Sequence, residues 1–73
     1  MLKELGRVAR EVREEAELRQ VDIATPAGVD HAVISNFEIG IRFPERLDPV
    51  IDAYEEECGL SPGDLWRRAA AEI

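Results

Sequence analysis

The apolar positions of the chain fall into short stripes divided by turn residues, and the stripes have helical spacing. Over residues 2–17, Leu5, Val8, Ala9, Val12 and Ala16 share one face, and charges fill the other. Arg7–Glu11 and Arg10–Glu14 are neighbours one turn apart and support that helix locally. Residues 20–40 read as two short helices around a turn. Ile23 and Ala24 are the apolar positions of the first, and Gly28 stands where that helix must stop and the chain reverse. Val29 follows as an apolar plug, Asp30 N-caps the second helix, and Val33, Ile34 and Phe37 give it one apolar face before Gly40 closes it. Pro26 interrupts the first of the pair. It lacks the N–H owed to the Asp22 carbonyl, a loss of ~3 kcal/mol in a helix interior, and it predicts an end or kink near Thr25.

Two more helices follow. Asp48 and Pro49 read as N-cap and first residue of a helix over 48–58. Ile51, Tyr54 and Cys58 form its apolar face, with Leu47 just before and Gly59 at its end; Asp52, Glu55, Glu56 and Glu57 fall on the opposite side. Ser61, Pro62 and Asp64 then look like N-cap, first and third positions of a helix over 62–72, whose apolar side is Leu65, Trp66, Ala69, Ala70 and Ile73. The pattern predicts one all-α, compact five-helix domain over residues 1–73.

Composition narrows the function. Seventy-three residues bury a small core, so dimerisation would help stability. The single cysteine, Cys58, forms no internal disulfide and fits a reducing compartment; its apolar position favours core filler over a reactive thiol. No basic segment precedes an apolar core, and no apolar run approaches 18 residues, which argues against secretion and membrane spanning and for the cytoplasm. One histidine and one cysteine make no metal site, and no cofactor is expected. The carboxylates alternate with arginines on helix faces, and so short a chain is expected to lack the concave pocket of an enzyme or small-molecule binder.

Two short helices around a Gly-containing turn form the helix-turn-helix pattern. In detail, Gln20, Ile23-Ala24, Gly28-Val29, Ile34, Glu38-x-Gly40 and Pro44, with Arg13 and Leu18 upstream, resemble the Cro/repressor-type (XRE-like) helix-turn-helix family over roughly residues 5–65. Pro26, Ile41 and Phe43 depart from the family pattern, the last two standing where a lysine and a polar residue are common. The resemblance implies a lambda-repressor-like fold and a sequence-specific transcriptional regulator of double-stranded DNA. Such a protein acts as a homodimer that occludes its operator, often in a phage or mobile element.

The resemblance also assigns roles. Arg13 is expected to pair with Glu38 and tie the first helix to the end of the recognition helix. His31, Ala32 and Asn36 stand where the family reaches base edges, and Ser35 is short enough for a base or a phosphate. Asn suits adenine, His guanine and Ala a thymine methyl. His31 has a second reading, as support for the Asp30 cap. Gln20, Arg42, Arg46 and Arg10 are the phosphate candidates, with Gln20 otherwise a plain polar helix start. The last two helices carry dimer contacts in family members of this size. Trp66, Leu65 and Ile73 are the candidates, although Trp66 reads equally well as a cap on a small core.

Charge pulls against this reading. The net charge is −7, where nucleic-acid binders usually show a basic footprint. Residues 1–50 hold seven Lys/Arg against ten Asp/Glu, and residues 51–73 hold two against six, so the excess is concentrated in the tail. The competing reading is an acidic protein-binding module on the same fold, an antirepressor or antitoxin-type partner, with Ile41 and Phe43 as its contacts.

Overall fold

The computed structural model describes residues 2–72, which form α1 (Leu2–Glu15), α2 (Gln20–Ala27), α3 (His31–Glu38), α4 (Leu47–Glu57) and α5 (Asp64–Ala71). Among the described residues there are five helices and no strand, as the periodicity predicts. Helix α1 packs against α5 and α3, and α2 packs against α3 and α4. The stripe positions fill the space between them. Leu5, Ile23, Ile34, Phe37, Val50, Tyr54 and Leu65 are fully buried. Each large apolar side chain contributes about 1.5–3 kcal/mol by leaving water.

The turns around α3 follow local chemistry. Gly28 takes φ 72°, a left-handed conformation that a side chain would strain, and its N–H and that of Val29 close onto the last carbonyls of α2. The Asp30 carboxylate accepts the Ala32 N–H at 3.0 Å and caps α3. Past α3, Gly40 takes φ 79°, and the Ile41 N–H bonds the Asn36 carbonyl at 3.0 Å.

Several boundaries differ from expectation. Helix α1 stops at Glu15, because Glu17 enters the left-handed region (φ 59°) and the Leu18 N–H folds back onto the Arg13 carbonyl; Ala16 is exposed beyond the helix instead of joining its stripe. Pro26 does not end α2 at Thr25. It sits exposed in the last turn, and the helix runs on to Ala27. The departure is absorbed because one turn from the end little helix remains to be disturbed. Helix α4 begins at Leu47 with Arg46 in the capping place, so Pro49 is its third residue. Proline is tolerated there because first-turn N–H groups have no intrahelical partner. Helix α5 begins at Asp64, not Pro62, after a left-handed Gly63 (φ 89°). Asp64 still reaches back to the Ser61 N–H at 3.2 Å.

Glu55 is the largest revision. It belongs to the buried side of α4 and is 5% exposed. Its Oε2 accepts the N–H groups of Gly63, at 2.8 Å, and of Leu65, at 3.3 Å. Those donors are among the ones a helix start leaves without partners, so a carboxylate from α4 caps α5 and joins the two helices.

Candidate nucleic-acid interface

Everything that holds α3 at its C-terminal end converges on Glu38. Arg13 of α1 meets its carboxylate fork to fork, Nε to Oε2 and Nη2 to Oε1, both at 2.8 Å. Gln20, the first residue of α2, donates its amide to Oε1 at 3.1 Å, and the Tyr54 hydroxyl of α4 donates to Oε2 at 2.5 Å. The third guanidinium nitrogen of Arg13, Nη1, donates to the Leu18 carbonyl at 2.8 Å. None of the Glu38 side chain is exposed. Burial pushes its carboxyl pKa up, but the hydrogen bonds from Arg13, Tyr54 and Gln20 outweigh that and leave it below the ordinary glutamate value. The Arg13–Glu38 pair is therefore buried, with each carboxylate oxygen accepting two hydrogen bonds.

A second device sets how close α1 comes to α3. A Cβ on Gly6 would lie 2.1 Å from the Phe37 carbonyl oxygen and 3.4 Å from the Glu38 Cα. The two helices touch through backbone there, and no side chain fits between them.

The outer side of α3 faces an open groove of about 490 Å³. Ala32, Val33 and Asn36 form one wall, the turn residues Ala27, Gly28 and Val29 one end, and Arg42, Phe43, Pro44, Glu45 and Arg46 the other wall. So short a chain therefore does form a concavity, at a place where the small residues Ala27, Gly28 and Ala32 are part of the lining. Of the base candidates, Ala32 and Asn36 line the groove; His31 is exposed and Ser35 half-buried outside its lining. Among the described residues the Asp30 carboxylate takes the Ala32 N–H and no bond from His31.

The phosphate candidates divide. Arg42 and Arg46 both line the groove. The Gln20 amide is turned inward onto Glu38, which leaves only its backbone N–H for a phosphate. Arg10 pairs with Glu14 at 3.4 Å on the exposed side of α1. Among the described residues Arg7, Arg10, Arg13, Arg19 and Arg67 are in ion pairs, whereas Lys3, Arg42, Arg46 and Arg68 are in none. Half of the cations left over thus line one groove.

The dimer candidates fare differently from one another. Leu65 is fully buried in the core and has no surface to offer a second copy. Trp66 is half-buried against that core, and Ile73 lies outside the described residues. Among the described residues the exposed large apolar ones are elsewhere: Val21, Ile39 and, at 71% exposure, Ile41. Phe43 by contrast packs its ring against Phe37, with centroids 5.8 Å apart. Cys58 is half-buried, and burial pushes its thiol pKa up, which suppresses the reactive thiolate.

Tyr54, Glu55 and Gly6 escaped the sequence reading of the site. Tyr54 carried a usable signal: a tyrosine on an apolar helix position needs a partner for its hydroxyl. Glu55 falls one turn after Ile51, on the same stripe, but an acidic run hides it.

The chain matches the family model described as a helix-turn-helix domain over residues 4–65, and it belongs to that family. At the level of class this makes it a DNA-binding regulator, consistent with the Cro/repressor-type resemblance. Comparison with curated proteins and with solved structures gave no match. Among the described residues no helix is long and apolar enough to cross a membrane.

Proposed function

We propose that the protein is a sequence-specific repressor of the Cro type that binds double-stranded DNA as a homodimer and acts by covering its operator. The observation that carries this is the groove beside α3, lined by Asn36, whose side chain has no hydrogen bond among the described residues, and by Arg42 and Arg46, which are in no ion pair, with Glu45 lining it beside them. Arg42 and Arg46 are the phosphate contacts, and Asn36 reads adenine, with Ala32 against a neighbouring thymine methyl. His31 and Ser35 extend base contact along the exposed face of α3. Gln20 offers its helix N-terminus, and Arg10 is a peripheral phosphate contact reached by giving up Glu14. On a pseudo-palindrome with half-site centres one helical turn apart, ~34–36 Å, each copy would seat its α3 on one half-site.

The test is a fluorescence-anisotropy titration against a random operator pool and against the DNA upstream of the gene, at low and near-physiological salt. A dimer using Arg42 and Arg46 from each copy has a salt slope of roughly −3.6. Replacing Arg42 with Ala should weaken binding to all sequences alike and reduce that slope by about one per protomer; replacing Asn36 should relax preference at one base position. A second reading draws on the net charge of −7 and the exposed Ile39 and Ile41: an acidic module that binds a protein partner. Failure to bind DNA even at low salt, with both variants behaving as wild type, would favour it.

A further inference from the structure

We propose that Tyr54 is the positioning residue that aligns the recognition helix with the loop carrying Arg42, and so sets sequence specificity without touching DNA. The proposal rests on the DNA-binding reading of α3. Helix α4 packs chiefly on α2, yet Tyr54 reaches past that contact to α3 at two consecutive residues. Its hydroxyl donates to Glu38, and its ring lies against Phe37 with centroids 6.0 Å apart. Phe37 in turn holds Phe43, which lines the groove next to Arg42. Tyr54, Phe37 and Phe43 therefore form one chain of rings from α4 to both groove walls, the helix bearing Asn36 and the loop bearing Arg42.

The hydroxyl adds what the Arg13 fork does not. A planar fork fixes the distance and common plane of its two groups, but it ties Glu38 to α1 alone. The Tyr54 donor from α4 on Oε2, with Gln20 of α2 on Oε1, ties the same carboxylate to the two other helices and fills it. Phenylalanine at position 54 would preserve the ring contact with Phe37 and delete only the bond that fixes orientation. A small change in helix angle at Glu38 is carried along α3 to Asn36, where base recognition depends on placement.

The experiment uses Tyr54→Phe in the full chain, under conditions where circular dichroism shows both proteins folded. Affinity is measured for the duplex that wild type selects from a random pool and for a scrambled duplex of equal length. Expected is a loss of about tenfold on the selected duplex, comparable to one mismatched base pair, with the scrambled duplex and the salt slope unchanged. Equal losses on the two duplexes, or none, would overturn the proposal. The protein alone gives an independent reading. Backbone amide shifts of residues 35–43 should move in Tyr54→Phe while those of 64–71 stay in place; movement spread evenly over all helices overturns it. If wild type binds neither duplex, the DNA-binding reading fails and the amide shifts alone decide the positioning role. If the variant does not fold, wild type decides: a Tyr54 hydroxyl proton in slow exchange, with a cross-peak to Glu38, supports the role, and a freely exchanging one overturns it.

Discussion

Arg13 and Glu38, 25 residues apart in sequence, lie fork to fork with both hydrogen bonds at 2.8 Å, and this contact joins the last turn of the first helix to the end of the third. Removing one member strands the other as a buried charge, at a cost of about 3–5 kcal/mol. A domain of this length has roughly 4–11 kcal/mol in all. Arg13→Ala should therefore lose a large share of the stability and melt far below wild type by circular dichroism. Arg10→Ala, which breaks only an exposed pair with Glu14, should melt close to wild type.

Acid should find the same carboxylate. The folded state holds the Glu38 pKa below its ordinary value of 4.5, so in the acid range the unfolded chain binds the extra proton. The associated stability is complete above about pH 5 and is lost as pH falls through the folded value. The melting temperature of wild type should fall as pH drops below about 5. Glu38→Gln should begin lower and fall less over the same interval.

Alkali gives the complementary observation, and the chain has a single tyrosine to report it. Burial, reinforced by the Glu38 carboxylate beside it, pushes the Tyr54 phenol far above its ordinary range. Absorbance at 295 nm should stay flat through about pH 11, where a free phenol has largely ionised. It should then rise together with loss of helical circular dichroism. A smooth titration near pH 10 in folded protein would contradict the buried hydrogen bond.

Glu55→Ala should cost about 1–3 kcal/mol by urea denaturation, because it leaves the N–H groups of Gly63 and Leu65 without their acceptor. Glu55→Gln keeps one acceptor oxygen and should lose less. In both, the amides of Gly63 and Leu65 should exchange with solvent faster than those of α3.

Gly6→Ala separates helix propensity from packing. Alanine in mid-helix is favoured over glycine by about 1 kcal/mol, so propensity alone raises stability. The new Cβ would sit 2.1 Å from the Phe37 carbonyl oxygen, and relief requires α1 and α3 to part. Overpacking of this kind costs about 1–3 kcal/mol or more, so the urea midpoint should fall.

The parts of this molecule that were legible beforehand are those whose cause is local. Asp30 and Gly28 announce their caps because a short carboxylate and a missing Cβ act on the next few residues. The stripes of α1 and α3 declare themselves by period. The meeting of Arg13 and Glu38 came from resemblance alone, since neither residue reveals a partner so far along the chain. Glu55 and Gly6 were hidden for a physical reason. Their roles are defined by what another helix brings to them: N–H groups from α5 in one case, a carbonyl from α3 in the other. The starts of α4 and α5 were misplaced because proline fits anywhere in a helix's first turn, and Pro49 took the third position while Pro62 stayed outside.

The pairing of Arg7, Arg10 and Arg19 with carboxylates beside them has a kinetic consequence. The net charge of −7 repels a duplex while Arg42 and Arg46 attract it locally, and both effects fade beyond a Debye length, about 8 Å in physiological salt. A DNA reader built this way would hardly slide. It would search by brief collisions and rest on random sequence only momentarily, so bulk chromosome would be a weak competitor for its few true sites. Its signature would be an association rate that does not fall as salt is added.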